Sequence, residues 1–188
     1  MTKYRFNHRG FSIVELAVVI AIIGLLVLVT VGAYTEYQKR SYDSQMRVAA
    51  KQVEEAVHLW YAKTGQQPKG GWSSTVSVSG GNCSDGTGGW FGSTAYVCAT
   101  EDILVNVGVL PAGFSAKLPK NTHNNASGAY SMMFYPCGSG TKRYALYWHL
   151  RVPSAADNDS IAAVEAAGCT AAPRTSYGMK AATLINLN

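Results

Sequence analysis

The sequence predicts an α+β protein: a long N-terminal helix, membrane-spanning in its first half, packed against an antiparallel β-sheet head. Three observations carry that expectation. The 21 residues from Phe11 to Val31 are apolar or uncharged except for Glu15. An amphipathic stretch follows with no proline to break a helix. Beyond Gly65 the chain turns rich in Gly, Ser, Thr and Asn, and its strongest β-patterns come near the C-terminus.

As a helix, Phe11 to Val31 would be roughly 31 Å long, about the thickness of a bilayer's hydrocarbon core. Lys3, Arg5, His8 and Arg9 precede it, and Tyr34, Glu36, Tyr37, Lys39 and Arg40 follow it. Helices of soluble cores are seldom that long or flanked that way, so the pattern reads as a membrane span. Basic residues favour the cytoplasmic side, which puts everything after Val31 across the membrane. A Sec-type signal peptide would have a shorter apolar region and a small-residue cut site. Glu15 is the exception in the run. A carboxylate there costs a few kcal/mol unless it is paired or protonated, and no Lys or Arg lies within the run. A new α-amino group would serve if the chain were cut just before Phe11.

The stretch Arg9-Gly10-Phe11-Ser12-Ile13-Val14-Glu15-Leu16 resembles the class III signal of type IV pilins and their pseudopilin relatives. It has a short basic leader ending in Gly, then Phe, a Glu at the fifth place after the cut, and an uninterrupted apolar helix. The resemblance covers about 40 of the 188 residues. It implies that residues 1–10 are a leader, and that a prepilin peptidase cuts between Gly10 and Phe11 and methylates the Phe11 amine. It implies the type IV pilin fold: a membrane and filament-core helix over 11–33, its amphipathic continuation over 34–64, and a globular α+β head over 65–188. Tyr34 and Tyr37 fall where such pilins often carry tyrosines. Many pilins have a proline near the outer end of the apolar helix, where this chain has Gly32. Glycine costs a helix about 1 kcal/mol relative to alanine but removes no hydrogen bond, so a kink is less expected there than with proline, and local melting during assembly stays open.

Met46, Ala49, Ala50, Val53, Ala56, Val57 and Trp60 fall within an arc of about 120° on a helix, a stripe that needs a partner. Arg47, Lys51, Glu54, Glu55 and His58 lie mainly on other faces, and Val48 and Leu59 point away from the stripe. Gly65 and Pro68 signal the stop. One helix from 11 to 64 would reach roughly 80 Å. In the head, Ser73 to Ser79 alternates as a short edge strand, Gly80 to Gly92 reads as loop, and Thr94 to Cys98 as a short strand. Thr100-Glu101-Asp102 opens one or two helical turns closed by Gly108 and Pro111. Ala129 to Tyr135 and Arg143 to Val152 form a hairpin pattern. In its second strand Tyr144, Leu146, Trp148 and Leu150 share the face expected against the long helix. Asp157 to Ala167 reads as a helix capped by Asp157 or Ser160 and ended by Gly168, and Ala181 to Leu187 as a last strand.

The four cysteines, 83, 98, 137 and 169, all lie beyond the span, and an even count in an exported domain reads as disulfides. Three pairings are open. Modest loop lengths favour Cys83–Cys98 and Cys137–Cys169, and the second resembles the C-terminal disulfide that many pilins carry. No CxxC pair occurs and His58, His123 and His149 are scattered, so neither a metal nor another cofactor is expected. Asp157-Asn158-Asp159 lacks the glycine and distal glutamate of a calcium loop. Asn125-Ala126-Ser127 and Asn158-Asp159-Ser160 match a short glycosylation pattern. Nothing reads as catalytic. Without Lys3, Arg5 and Arg9 the chain has 13 basic against 11 acidic residues, so its formal charge drops from +5 to +2 and bulk charge says little about nucleic acid. Lys142, Arg143, His149 and Arg151 beside Tyr147 are the one candidate basic, aromatic patch.

The resemblance implies a structural subunit that waits in a bacterial inner membrane with its head outside the cytoplasm, then enters an extracellular type IV pilus serving adhesion or motility. Its implied partners are identical or related pilins, the prepilin peptidase, an assembly ATPase and a platform membrane protein. Glu15 would attract the Phe11 amine of a neighbour. Two alternatives share the same signal: a type II secretion pseudopilin, and a minor pilin that uses the basic patch to capture DNA.

Overall fold

A computed structural model describes residues 12–66, 76–78, 81–83, 89–91, 100–119, 131–138 and 142–188. The chain divides into two compact units, Met1–Lys39 and Arg40–Asn188. Helix α1, Ile13–Thr64, contributes to both.

In the first unit α1 carries no buried residue. Its polar side chains turn back on the helix. The Thr30 hydroxyl bonds the carbonyls of Leu26 and Val27, each at 3.0 Å, and the Thr35 hydroxyl bonds that of Gly32 at 2.9 Å. Such internal bonds satisfy hydroxyls where no water can. Gly32 lies within the helix, with no side chain close enough to crowd an added Cβ.

In the second unit the expected stripe is buried: Met46, Ala49, Ala50, Val53, Ala56, Val57 and Trp60 are all in the core, while Val48 and Leu59 are exposed. Burial of side chains such as Met46, Val53 and Val57 contributes about 1.5–3 kcal/mol each. The stripe shares a core with one face of a four-stranded antiparallel sheet, ordered β3-β4-β5-β6. These strands are Trp90–Phe91, Met132–Pro136, Arg143–Trp148 and Ala181–Asn186. Their register runs Phe91↔Met132, Met132↔Trp148 and Trp148↔Ala181. Tyr144, Leu146, Trp148 and Leu150 lie with α1 as expected, and Tyr144 stacks on Phe134 at 4.8 Å. The opposite face is also covered. Ala145 and Tyr147 are buried with Ile161 and Val164 of helix α3, Ala155–Ala166.

Several elements depart from expectation. The stretch Gly80 to Gly92 is not all loop. It contains β2, Gly81–Cys83, paired with β1, Val76–Val78, and it contains the whole of β3. Two- and three-residue strands are too short for a period-2 pattern to register. The proposed strand over 94–98 lies outside the described residues. Helix α2, Thr100–Asn106, forms where expected, followed by Gly108 at φ 73°. Strand β5 stops at Trp148 instead of Val152, because the next free donors leave the ladder: the Arg151 and Val152 N–H groups donate to the Asp43 carboxylate of α1 at 2.7 and 2.9 Å. Helix α3 begins two residues early. Its cap is Ser154, not Asp157 or Ser160, and Asp157 closes a capping box by accepting the Ser154 N–H. Helix α4, Ala172–Tyr177, was not expected. Pro173 sits in its first turn and Gly178, at φ 66°, ends it.

Cys137, just past β4, and Cys169, just past α3, are joined by a disulfide across 32 residues. In the chain-entropy model that closure stabilises the fold by about 3.7 kcal/mol.

Candidate functional site at the N-terminal helix

Ser12 precedes the first helical residue, so its N–H lies outside the intrahelical ladder of α1. It donates instead to Glu15 Oε2 at 2.9 Å, while the Val14 N–H donates to Ser12 Oγ at 3.3 Å. Ser12 and Glu15 therefore cap the start of α1 between them. The sequence signal was present as Ser-x-x-Glu ahead of an apolar run. Taken only as a charge in need of a cation, Glu15 does not announce that role. The carboxylate thus has a partner on its own chain, and the helix N-terminus favours a negative charge there. Gly10 and Phe11, the residues of the expected cut, lie outside the described residues.

Fourteen large apolar side chains between Ile13 and Val31 are exposed, from Val19 at 46% to Ile13 at 86%. The mean hydropathy of the most apolar 18-residue window of α1 is 3.0, and none of that window is buried. By length and composition the helix suits a membrane or a packed bundle of like helices. It has no core of its own. Tyr34 and Tyr37 follow, both largely exposed.

The candidate nucleic-acid patch does not assemble, and the reason is the covered second face of the sheet. Tyr147 is fully buried, and its hydroxyl donates to the Thr170 carbonyl at 2.7 Å; burial first, helped by the Glu165 charge, pushes its pKa up to about 12. His149 is buried, with Nδ1 3.4 Å from the Tyr42 hydroxyl. The Arg151 guanidinium lies 4.5 Å from the Tyr42 ring centroid, and Lys142 Nζ donates to the Tyr61 hydroxyl at 2.9 Å. Lys142 and Arg151 thus lie against two different α1 tyrosines, Arg143 is exposed, and the Tyr147 ring is not open beside them for a base to stack on.

Asp157 serves as a cap. Its Oδ2 accepts from the Ser154 N–H and hydroxyl and from Arg47, each at 2.7 Å. Burial pushes this carboxyl up, but the Ser154 bonds and Arg47 outweigh it and hold it below its usual range. Among the described residues no three His, Cys, Asp or Glu side chains converge as a metal site. Asn158 lies within α3, His58 is exposed on α1, and His123, Asn125 and Cys98 are outside the described residues. Asp43 is the residue that sequence reasoning missed altogether. It is 3% exposed, and no local pattern points to backbone partners 108 and 109 residues away.

These features define a class: an α+β protein whose long first helix is bare and apolar at its start and buried against a sheet at its end. Comparison with known proteins narrows it. A family model described as the prokaryotic N-terminal methylation motif matches residues 5–31. The chain is 35% identical over 72 residues to a fimbrial protein of Neisseria meningitidis serogroup B, covering 38% of this chain and 42% of that protein. It is 37% identical over 72 residues to the type IV major pilin protein PilE of Neisseria gonorrhoeae, covering 38% and 43%. Its N-terminal segment is therefore similar to that of type IV pilins. The matches span about two fifths of those curated relatives' length. No solved structure matches the chain significantly.

Proposed function

We propose that this chain is a structural subunit of a type IV pilus, held in the bacterial inner membrane until a prepilin peptidase cuts between Gly10 and Phe11 and methylates the Phe11 amine. The observation that carries the reading is the bare apolar half of α1 with one carboxylate at its entrance. Residues 1–10 are the leader, 11–33 the span and later the filament core, 34–64 the amphipathic continuation, and 65–188 the head, which lies outside the cytoplasm. Glu15 recruits the Phe11 amine of a neighbouring copy and so sets subunit register in an apolar core, where screening is weak. An assembly ATPase and a platform membrane protein supply the work of extraction. A second bridge, Cys83–Cys98, complements Cys137–Cys169 in the head. The alternative reading, a type II secretion pseudopilin, shares the same signal; the relatives' names, fimbrial protein and major pilin, favour the pilus with adhesion or motility as its service. The test is mass spectrometry of sheared surface filaments. It should recover this chain beginning at N-methylated Phe11. A mature chain that begins at Met1 overturns the processing and the assembly with it.

A further inference from the structure

The end of the apolar run has a composition of its own. After Val31, helix α1 continues through Gly32 and Ala33 to Tyr34 and Tyr37, which are 62% and 69% exposed. Three residues apart, they lie on one side of the helix. They belong to no core cluster, so packing within the chain does not account for two large rings held in the open. Polar residues begin beside them with Thr35, Glu36 and Gln38, and Lys39 follows.

The distances decide where the rings sit in a bilayer. From Ser12 to Val31 the helix rises roughly 30 Å, which fills the hydrocarbon layer. Tyr34 then lies about 4.5 Å and Tyr37 about 9 Å beyond Val31 along the axis. A headgroup layer is roughly 5–7 Å deep on each side, so the Tyr34 backbone falls inside it, while that of Tyr37 lies a few ångströms outside and its ring, tilted toward the helix N-terminus, leans back into the layer. A phenol suits that zone, because the ring takes the apolar side and the hydroxyl bonds water, glycerol or phosphate. Lys39, about 12 Å beyond Val31, has a long side chain whose charge can reach back to lipid phosphate.

We propose that Tyr34 and Tyr37 form a phenol collar that lodges in the lipid headgroup layer and fixes the depth of the span before assembly. The proposal rests on the membrane-anchored reading above. Its consequence lies at the far end of the same helix. Glu15 is 19 residues before Tyr34, roughly 28 Å along the axis, so seating the phenols in one headgroup layer seats the carboxylate at the opposite boundary. The collar thereby presents Glu15 at a constant level to an incoming amine. A carboxylate drawn deeper would pay a rising cost of dehydration, and one held higher would meet salt and water instead of a partner.

The test uses the full chain, with ring-13C tyrosine, in vesicles of phosphatidylethanolamine and phosphatidylglycerol. Carbon–phosphorus dipolar recoupling reads proximity to lipid phosphate, and Tyr34→Phe and Tyr37→Phe difference spectra assign the two rings. Both rings are expected to dephase against 31P, and the double variant Tyr34→Ala/Tyr37→Ala is expected to shift Glu15 relative to headgroup-bound nitroxide, read as a changed paramagnetic relaxation rate. Rings that contact only acyl chains, or only water, overturn the collar, and so does an unchanged Glu15 relaxation rate in the double variant. Vesicle flotation separates the two layers of inference. A chain that fails to float with vesicles removes the membrane reading and the collar together, whereas flotation without ring–phosphate proximity removes the collar alone.

Discussion

Replacing Asp43 by alanine tests whether the head is held to α1 by a buried carboxylate that no sequence pattern announces. The Asp43 side chain, 3% exposed, accepts the Arg151 N–H at 2.7 Å and the Val152 N–H at 2.9 Å, where the chain leaves β5 for α3. A hydrogen bond to a charged group contributes about 1.5–3 kcal/mol, and a donor left buried without a partner adds its desolvation cost. Asp43→Ala should therefore destabilise the head by about 3–5 kcal/mol, a large part of the roughly 5–15 kcal/mol available to a typical domain. Asp43→Asn keeps one acceptor oxygen and should lose about half as much. The assay is urea unfolding of the full chain in detergent, followed by tryptophan fluorescence, since Trp60 and Trp148 are 5% and 9% exposed in the native fold. The midpoint should move while the slope stays fixed, as for a change in stability without a change in the surface exposed. A loss below about 1 kcal/mol for Asp43→Ala, the scale of an ordinary surface substitution, would refute the reasoning.

Two further expectations concern charge. The carboxyl of Asp157 titrates below its unfolded value, so it contributes stability above about pH 3.9, and that contribution is lost as the pH falls through the lower folded value. Asp157→Asn should cost about 1 kcal/mol near neutral pH, the scale of a helix cap, and the gap between variant and parent urea midpoints should narrow as the pH falls below about 3.9. Arg47 is 42% exposed on its side chain, so it should add little to that figure. At the other end of the chain, Glu15→Gln preserves an acceptor for the Ser12 N–H, whereas Glu15→Ala removes it. Amide exchange at Val14 and Leu16 in micelles should rise for the alanine variant only, while filament yield should collapse for both; equal exchange in the two variants would show that the cap does not form.

The parts of this fold that could be read beforehand are those where many residues repeat one message. The α1 stripe, from Met46 to Trp60, recurs at helical spacing over four turns, and the alternation of Tyr144, Leu146 and Trp148 states which face of β5 is inward. What escaped is local or remote. Strand β3 is two residues long and is recruited by its partner, Met132–Met133, rather than by its own pattern. Helix α4 carries a proline that reads as a breaker unless its first-turn position is known. The α3 cap uses Asp157 where the familiar box has Glu or Gln, so Ser154 passed unnoticed. The basic patch failed because one covered face was assumed for the sheet and there are two: α3 occupies the other and takes Tyr147 with it. Asp43 lay beyond reach, since its partners are backbone groups brought near only by the completed fold.

The apolar half of α1 sets a constraint that reaches beyond its location. Fourteen exposed aliphatic side chains, at about 1.5 kcal/mol each or more, would cost on the order of 20 kcal/mol in water, above the whole stability of a typical domain. Water is thus a costly environment for this stretch, and lipid or a bundle of like helices relieves that cost. Between those two, burial offers no preference, because lipid tails are as apolar as leucine. The difference must come from groups whose partners change, and in this stretch Glu15 is the one ionisable group. Its described partner is the Ser12 N–H of its own chain. Beside a neighbour's amine at about 4 Å, a second attraction of about 4 kcal/mol becomes available at an effective dielectric near 20. On the proposed pilus reading, an attraction of that size would distinguish one register among sliding helices but would be too small to lift a span out of a membrane.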